Sequence, residues 1–299
     1  MTKKVKILRE GGQESQLHAP FFESRPSTPY REHGLPARAP QAKCLRFPYN
    51  PDSPALINPV REPGEEAVAA RVVLVSTKSD FQLLGRLLGA KQPPRRLWDC
   101  ALRSGSWAAK PMAVAGPVLG APYAAMVLEK LIALGAKAVI FLGWCGSLQN
   151  GLPVGSLVLP AAVLGEDGVS PHYQAGETDI LPDPALRCAL ERFLSADLPE
   201  GISWRSGPVL TTDAYYRETA EMVQHYQHHG ALAVDMELGA LLAVGRFRGL
   251  PVAGLLAVSD ELFSLSWRSG HRSSRLRQAR ETAARVSLAA LAAWEEDHA

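Results

Sequence analysis

The rhythm of apolar and polar positions changes at Arg71. Beyond it, short runs rich in β-branched residues alternate with stretches whose apolar positions return every three to four residues, as expected of parallel strands joined by helices. The runs at 72–75 (VVLV), 112–115 (MAVA), 138–143 (AVIFLG), 156–163 (SLVLPAAV) and 252–258 (VAGLLAV) read as strands. Helices are predicted near 81–88, 121–134, 184–194, 218–228, 237–248 and 273–294. Strand runs with so little alternation must be covered on both faces. The predicted fold class is therefore α/β, a three-layer sandwich with a central mixed, mostly parallel sheet flanked by helices.

Before Arg71 neither period is present. Ten of the 23 prolines fall between Pro20 and Pro63, where each removes a backbone donor and fixes φ. Residues 1–66 read as a proline-rich extended arm and 67–299 as the folded domain. The arm either lies along a neighbouring subunit or is a disordered leader. Charge narrows the function classes: 32 basic and 30 acidic residues leave a formal net charge of +2, too little to draw the chain to nucleic acid or an anionic membrane. A small ligand is the expected partner. Cys44, Cys100, Cys145 and Cys188 form no C-x-x-C pair, so no metal site or disulfide framework is suggested and reduced thiols in a cytoplasmic protein are expected. No apolar stretch follows the basic residues of the opening segment, and none approaches the ~20 residues of a membrane span.

In open α/β sheets ligands bind beyond the carboxyl ends of strands. Three places qualify. One is the glycine-rich end of the 138–143 strand, where Gly143 and Gly146 would let a ligand approach the backbone or simply serve a tight turn. The second is Asp235, Met236 and Glu237, where a short strand hands over to a helix. The third is Asp260, just past the 252–258 strand. Acids at helix starts are also common caps.

The segments GAPYAAMVLEKLIALGAK, GWCGSLQNGLPVGSLVLP, TTDAYY and VDMELGALL followed by VSD resemble, in order and spacing, the nucleoside phosphorylase and nucleosidase family. The resemblance runs over about 71–294. It implies cleavage of the bond between a purine-type base and ribose. Glu237 would hold the ribose hydroxyls with Met236 packing on the sugar, Asp260 would serve the imidazole nitrogen of the leaving base, and Tyr215 would stack on that base. Asp235 and Gly143 would border the same pocket, as would His172 unless it is merely solvated. Pyrimidine-specific members lack the acid matching Asp260, and their uracil-binding Gln and Arg are replaced here by Thr219 and Glu221.

Departures from the family pattern bear on the nucleophile. Its phosphorylases carry a G-D-P-x-R turn after the first strand, an Arg before the glycine-rich turn and a Ser or Thr within it. This chain has STKSD (76–80), Phe141 and Trp144 there. A phosphate dianion needs charge-assisted donors that neither aromatic supplies, though Lys78 could partly substitute. Phosphate is thus a doubtful co-substrate, no other cofactor is implied, and hydrolysis is slightly favoured over phosphorolysis. Asp80 falls where the nucleosidases keep a water-activating acid, with a helix cap as the alternative. Arg268, His271, Arg272, Arg275, Arg277 and Arg280 make the start of the last helix basic, either as a solvated face or as a replacement anion site. The resemblance further implies a homo-oligomer whose pockets are completed by a neighbour. The competing readings are a catalytically silent nucleoside-binding protein and an interaction module built on the arm.

Overall fold

Alternate residues of a buried strand face opposite ways, and the first strand, β1 (Arg71–Val75), shows how this builds the layers. In the computed structural model, which describes residues 53–174, 179–196 and 198–295, Val72 and Leu74 pack beneath helices α2 (Ala121–Ala133) and α5 (Leu238–Arg248). Val73 and Val75 face α1 (Lys78–Leu87), α3 (Pro184–Ala196) and α6 (Ser274–Ala293). The remaining helix, α4 (Ala220–His228), begins at a Thr219 cap whose hydroxyl accepts from the Met222 N–H. The described residues belong to one unit, Pro48–Ala299. Most of the proposed arm lies outside them. Its described end is tied down where Lys130 Nζ donates to the Val60 carbonyl and pairs with Glu65 at 2.6 Å.

The sheet adds β2 (Arg95–Leu97), β3 (Cys100–Trp107), β4 (Lys110–Gly116), β5 (Ala138–Ser147), β6 (Leu157–Glu166), β7 (Trp204–Thr212), β8 (Ala233–Asp235), β9 (Val252–Glu261) and β10 (Arg268–Ser269). Their order is β10-β9-β6-β7-β8-β5-β1-β4-β3-β2. Parallel ladders join β1 to β4 and β5, β5 to β9, and β7 to β6 and β8. Antiparallel pairings join β2 to β3, β3 to β4, β5 to β8, β6 to β9 and β9 to β10. Because β5 bonds to both β8 and β9, strands β5, β9, β6, β7 and β8 close into a ring. This is the mixed sheet between helical layers that the pattern predicts.

One boundary is corrected with consequences for the site. The β5 run does not stop in a turn at Gly143; it continues to Ser147, with a bulge against β9 between Cys145 and Gly146. Bulges bend a strand and re-aim side chains, and here the bulge lies where β8 and β9 converge on the end of β5. Among the described residues, no helix is long and apolar enough to cross a membrane, and no group of three or more His, Cys, Asp or Glu residues could hold a metal ion.

Candidate functional site

The end of β5 is the meeting point. Gly146 pairs with Val234 of β8 on one side and with Asp260 of β9 on the other. Strand spacing then sets Val234 and Asp260 roughly 10 Å apart, with the β8–α5 corner carrying Asp235, Met236 and Glu237 beside them. A Cβ on Gly146 would come within 3.2 Å of an Asp260 carboxylate oxygen and 2.8 Å of Leu262. Glycine here makes room for the acid.

Two acids at the β8–α5 corner divide their work. Asp235 is a cap: its carboxylate accepts from the N–H groups of Glu237 (3.1 Å) and Leu238 (2.8 Å) and from the Thr211 hydroxyl (2.5 Å). Glu237 instead accepts from the Gly120 N–H at 2.7 Å. Gly120, at φ +79° at the start of α2, holds a conformation that favours glycine and brings its N–H across. Burial, and then the Asp235 charge, push Glu237 up to about 8. Asp235 is raised to about 6, burial outweighing its three donors. Raised in this way, Glu237 keeps its proton to higher pH than a free carboxyl, and a protonated carboxyl can both donate and accept.

Around Asp260 the structure gathers a second group. Its Oδ1 accepts from the Ser259 hydroxyl (2.6 Å) and its Oδ2 from the Trp267 indole N–H (3.0 Å). Tyr215 is half-buried in a short 3-10 turn, Tyr215–Arg217, with its ring 5.1 Å from that of Tyr216. Burial and the Asp260 and Glu218 charges raise its phenol. Glu218, a residue the sequence reading passes over, is raised to about 7 by burial and by Asp260. Neither Glu218 nor Trp267 carries a sequence signal beyond an ordinary polar loop. Cys145 is buried near the charges of Asp260 and Asp235, and both add to the burial that holds its thiol well above its usual value.

Asp80 has a different occupation from the water-activating role. It is wholly buried. Its Oδ1 takes the Arg280 Nε (2.7 Å) and Nη2 (2.6 Å), and its Oδ2 takes the Thr77 hydroxyl (2.6 Å) and the Trp144 indole N–H (2.9 Å). A carboxylate has about four lone-pair directions, and all are used, so no direction remains for accepting a proton from water. Nor is Asp80 the helix cap. Thr77 caps α1, its Oγ1 accepting from the Asp80 N–H. The Arg280 guanidinium also stands 5.2 Å from the Trp144 ring. Of the basic residues at the start of the last helix, Arg280 is therefore neither solvated nor a free anion-binding group.

The other candidates lie elsewhere on these elements. At Gly143 the space a Cβ would need is filled by the Phe141 ring, 2.5 Å away, both residues lying within buried strand. Met236 is half-buried between Asp235 and Glu237. His172 is exposed on a short 3-10 turn, Ser170–His172, whose Ser170 packs over Gly239 of α5. Thr219 and Glu221 belong to the start of α4.

Solved structures that share the fold include uridine phosphorylase from Vibrio fischeri (22% identical, TM-score 0.69, covering 76% of this chain and 93% of that one) and purine nucleoside phosphorylase from Toxoplasma gondii with immucillin-H (20%, 0.68, 78% and 98%). In sequence the chain is 30% identical to guanosine phosphorylase of Halorubrum lacusprofundi over 144 residues, 48% of this chain and 58% of that protein. It is also 30% identical to the DeoD-type purine nucleoside phosphorylase of Bacillus cytotoxicus over 162 residues, 54% and 68%. Residues 70–293 match the model of the Phosphorylase superfamily, and the chain belongs to that family.

Proposed function

We propose that this chain splits the N-glycosidic bond of purine-type nucleosides with water, not phosphate, as the acceptor. The observation that carries the choice of nucleophile is the saturated Asp80–Arg280–Trp144 cluster. It joins the first-strand turn and the glycine-rich segment, where the family resemblance puts phosphate-binding residues, to Arg280 of the last helix. An incoming dianion would meet donors, the Arg280 guanidinium and the Trp144 N–H, that are already committed to Asp80.

The remaining residues suit the glycosidic step. Glu237 accepts and donates to the ribose hydroxyls, Met236 packs on the sugar and Tyr215 stacks on the base. Asp260 hydrogen-bonds or protonates the imidazole nitrogen as the base departs. As the C–N bond breaks, its electron pair leaves with the base, which takes up a proton at the imidazole nitrogen, and water adds to the oxocarbenium-like carbon and gives up a proton to bulk water, leaving free base and ribose. The names of the sequence relatives, guanosine and purine nucleoside phosphorylases, support a purine-type base.

Incubating the protein with adenosine, inosine, guanosine and uridine, with and without phosphate, and identifying products by mass tests this reading. Free ribose from the purine nucleosides at a rate unchanged by phosphate is expected; ribose 1-phosphate as the main product overturns it. A second reading, a catalytically silent nucleoside binder, is favoured by the absence of a free lone pair on Asp80 and takes over if nucleosides bind but none is cleaved.

A further inference from the structure

We propose that Trp267 is a built-in stand-in for the departing base, so that a purine must displace its indole from Asp260 in order to bind. The inference rests on the reading of Asp260 as the base-side acid. An indole is a fused five- and six-membered aromatic with an N–H in the smaller ring, the outline of a purine protonated on its imidazole nitrogen. Its N–H lies 3.0 Å from Asp260 Oδ2. The other oxygen is already engaged by Ser259, so Trp267 covers the acceptor the reading gives to the base.

The surroundings fit a displaceable occupant. Trp267 is 58% exposed, held by one polar contact at the rim and not locked in the core. It comes from the turn after β9, where Leu265 has φ +59°. That left-handed conformation is disfavoured for a residue with a large side chain and persists where neighbouring contacts hold it. Those contacts are local: the Leu265 N–H donates to the Leu262 carbonyl, and the Ser264 and Ser266 hydroxyls lie 3.0 Å apart. His271 stands edge-on to the indole, with ring centroids 6.5 Å apart, and 5.6 Å from Trp144, giving the slot an aromatic wall. An occupant of this kind reduces apparent affinity by the fraction of molecules in which the slot is open. It also raises the threshold for ligands: a base must offer Asp260 Oδ2 an N–H at least as well placed as that of the indole.

The test compares Trp267→Phe, which keeps an aromatic ring but deletes the donor, and Trp267→Ala with the unaltered chain. Hypoxanthine and inosine are titrated by calorimetry, with uridine as the control. Both variants should bind hypoxanthine several-fold more tightly. Saturating hypoxanthine should change the indole fluorescence of the unaltered chain, and most of that change should vanish in Trp267→Phe. If the unaltered chain binds hypoxanthine and both variants bind it equally or more weakly, Trp267 is no stand-in and the inference falls alone. If neither purine binds any of the three proteins, the nucleoside reading falls and takes this inference with it.

Discussion

Glu237 is a residue whose chemistry is changed by its setting. Its carboxyl titrates near 8 in the folded chain because burial and Asp235 disfavour the charge, whereas an unfolded chain would release that proton near 4.3. The folded state thus holds the extra proton between those values, and stability falls as pH rises through the window. Asp235, at about 6, and Glu218, at about 7, act in the same direction. Melting temperature should decline from pH 5.5 to 8.5, and Glu237→Gln should flatten the decline while keeping an acceptor for the Gly120 N–H. Thermal melts across that range check it, since about 1 kcal/mol moves Tm by ~2–4 °C in a domain of this size. A slope unchanged in Glu237→Gln would contradict the assignment. At this scale the sequence is readable where a residue's role is local. The motif VDMEL places Asp235 and Glu237 at a strand-to-helix corner, and the structure brings Asp260 to the same strand end. It does not separate cap from open carboxyl, because the deciding partners, Thr211 and Gly120, arrive from other elements.

Between elements, the Asp80–Arg280 pair ties α1 to α6 and, through Trp144, to β5. Removing one partner of a buried ion pair leaves an uncompensated charge, at a cost of about 3–5 kcal/mol, while replacing both can be close to neutral. Arg280→Met should therefore lower the chemical-denaturation midpoint strongly, and Asp80→Asn with Arg280→Met should recover most of the loss. Independent, additive effects would show that the pair is not coupled. The elements themselves are unevenly legible. Helices α2 and α6 are found nearly to the residue because long apolar stripes define them. The β2–β3 hairpin, β7 and β10 escape the reading, and β8 is read only as a short strand without bounds. β3 is half polar along its length, β7 opens on the exposed or half-exposed WRSG, and β8 and β10 have only three and two residues. Such strands are specified by their neighbours more than by their own pattern.

For the whole molecule, the sequence yields the layer arrangement but not the ring formed by β5, β9, β6, β7 and β8, since β5 gains its second and third partners only after the chain has returned twice. Assembly beyond one chain is also a proposal: family resemblance implies that a neighbour completes each pocket. Leu119, Met126 and Phe247, on or beside α2 and α5, are large apolar side chains left exposed, as an oligomer contact requires. Light scattering at micromolar concentration should report more than one chain per particle, and a monomer would refute this. The bond between Asp80 and Arg280 spans 200 positions. Its consequence is one of timing: during synthesis Asp80 is made long before the guanidinium that neutralises it, and long-range contacts close late. Until the last helix docks, the turn after β1 lacks the guanidinium that Asp80 pairs with in the folded chain, so α6 completes the burial of that carboxylate.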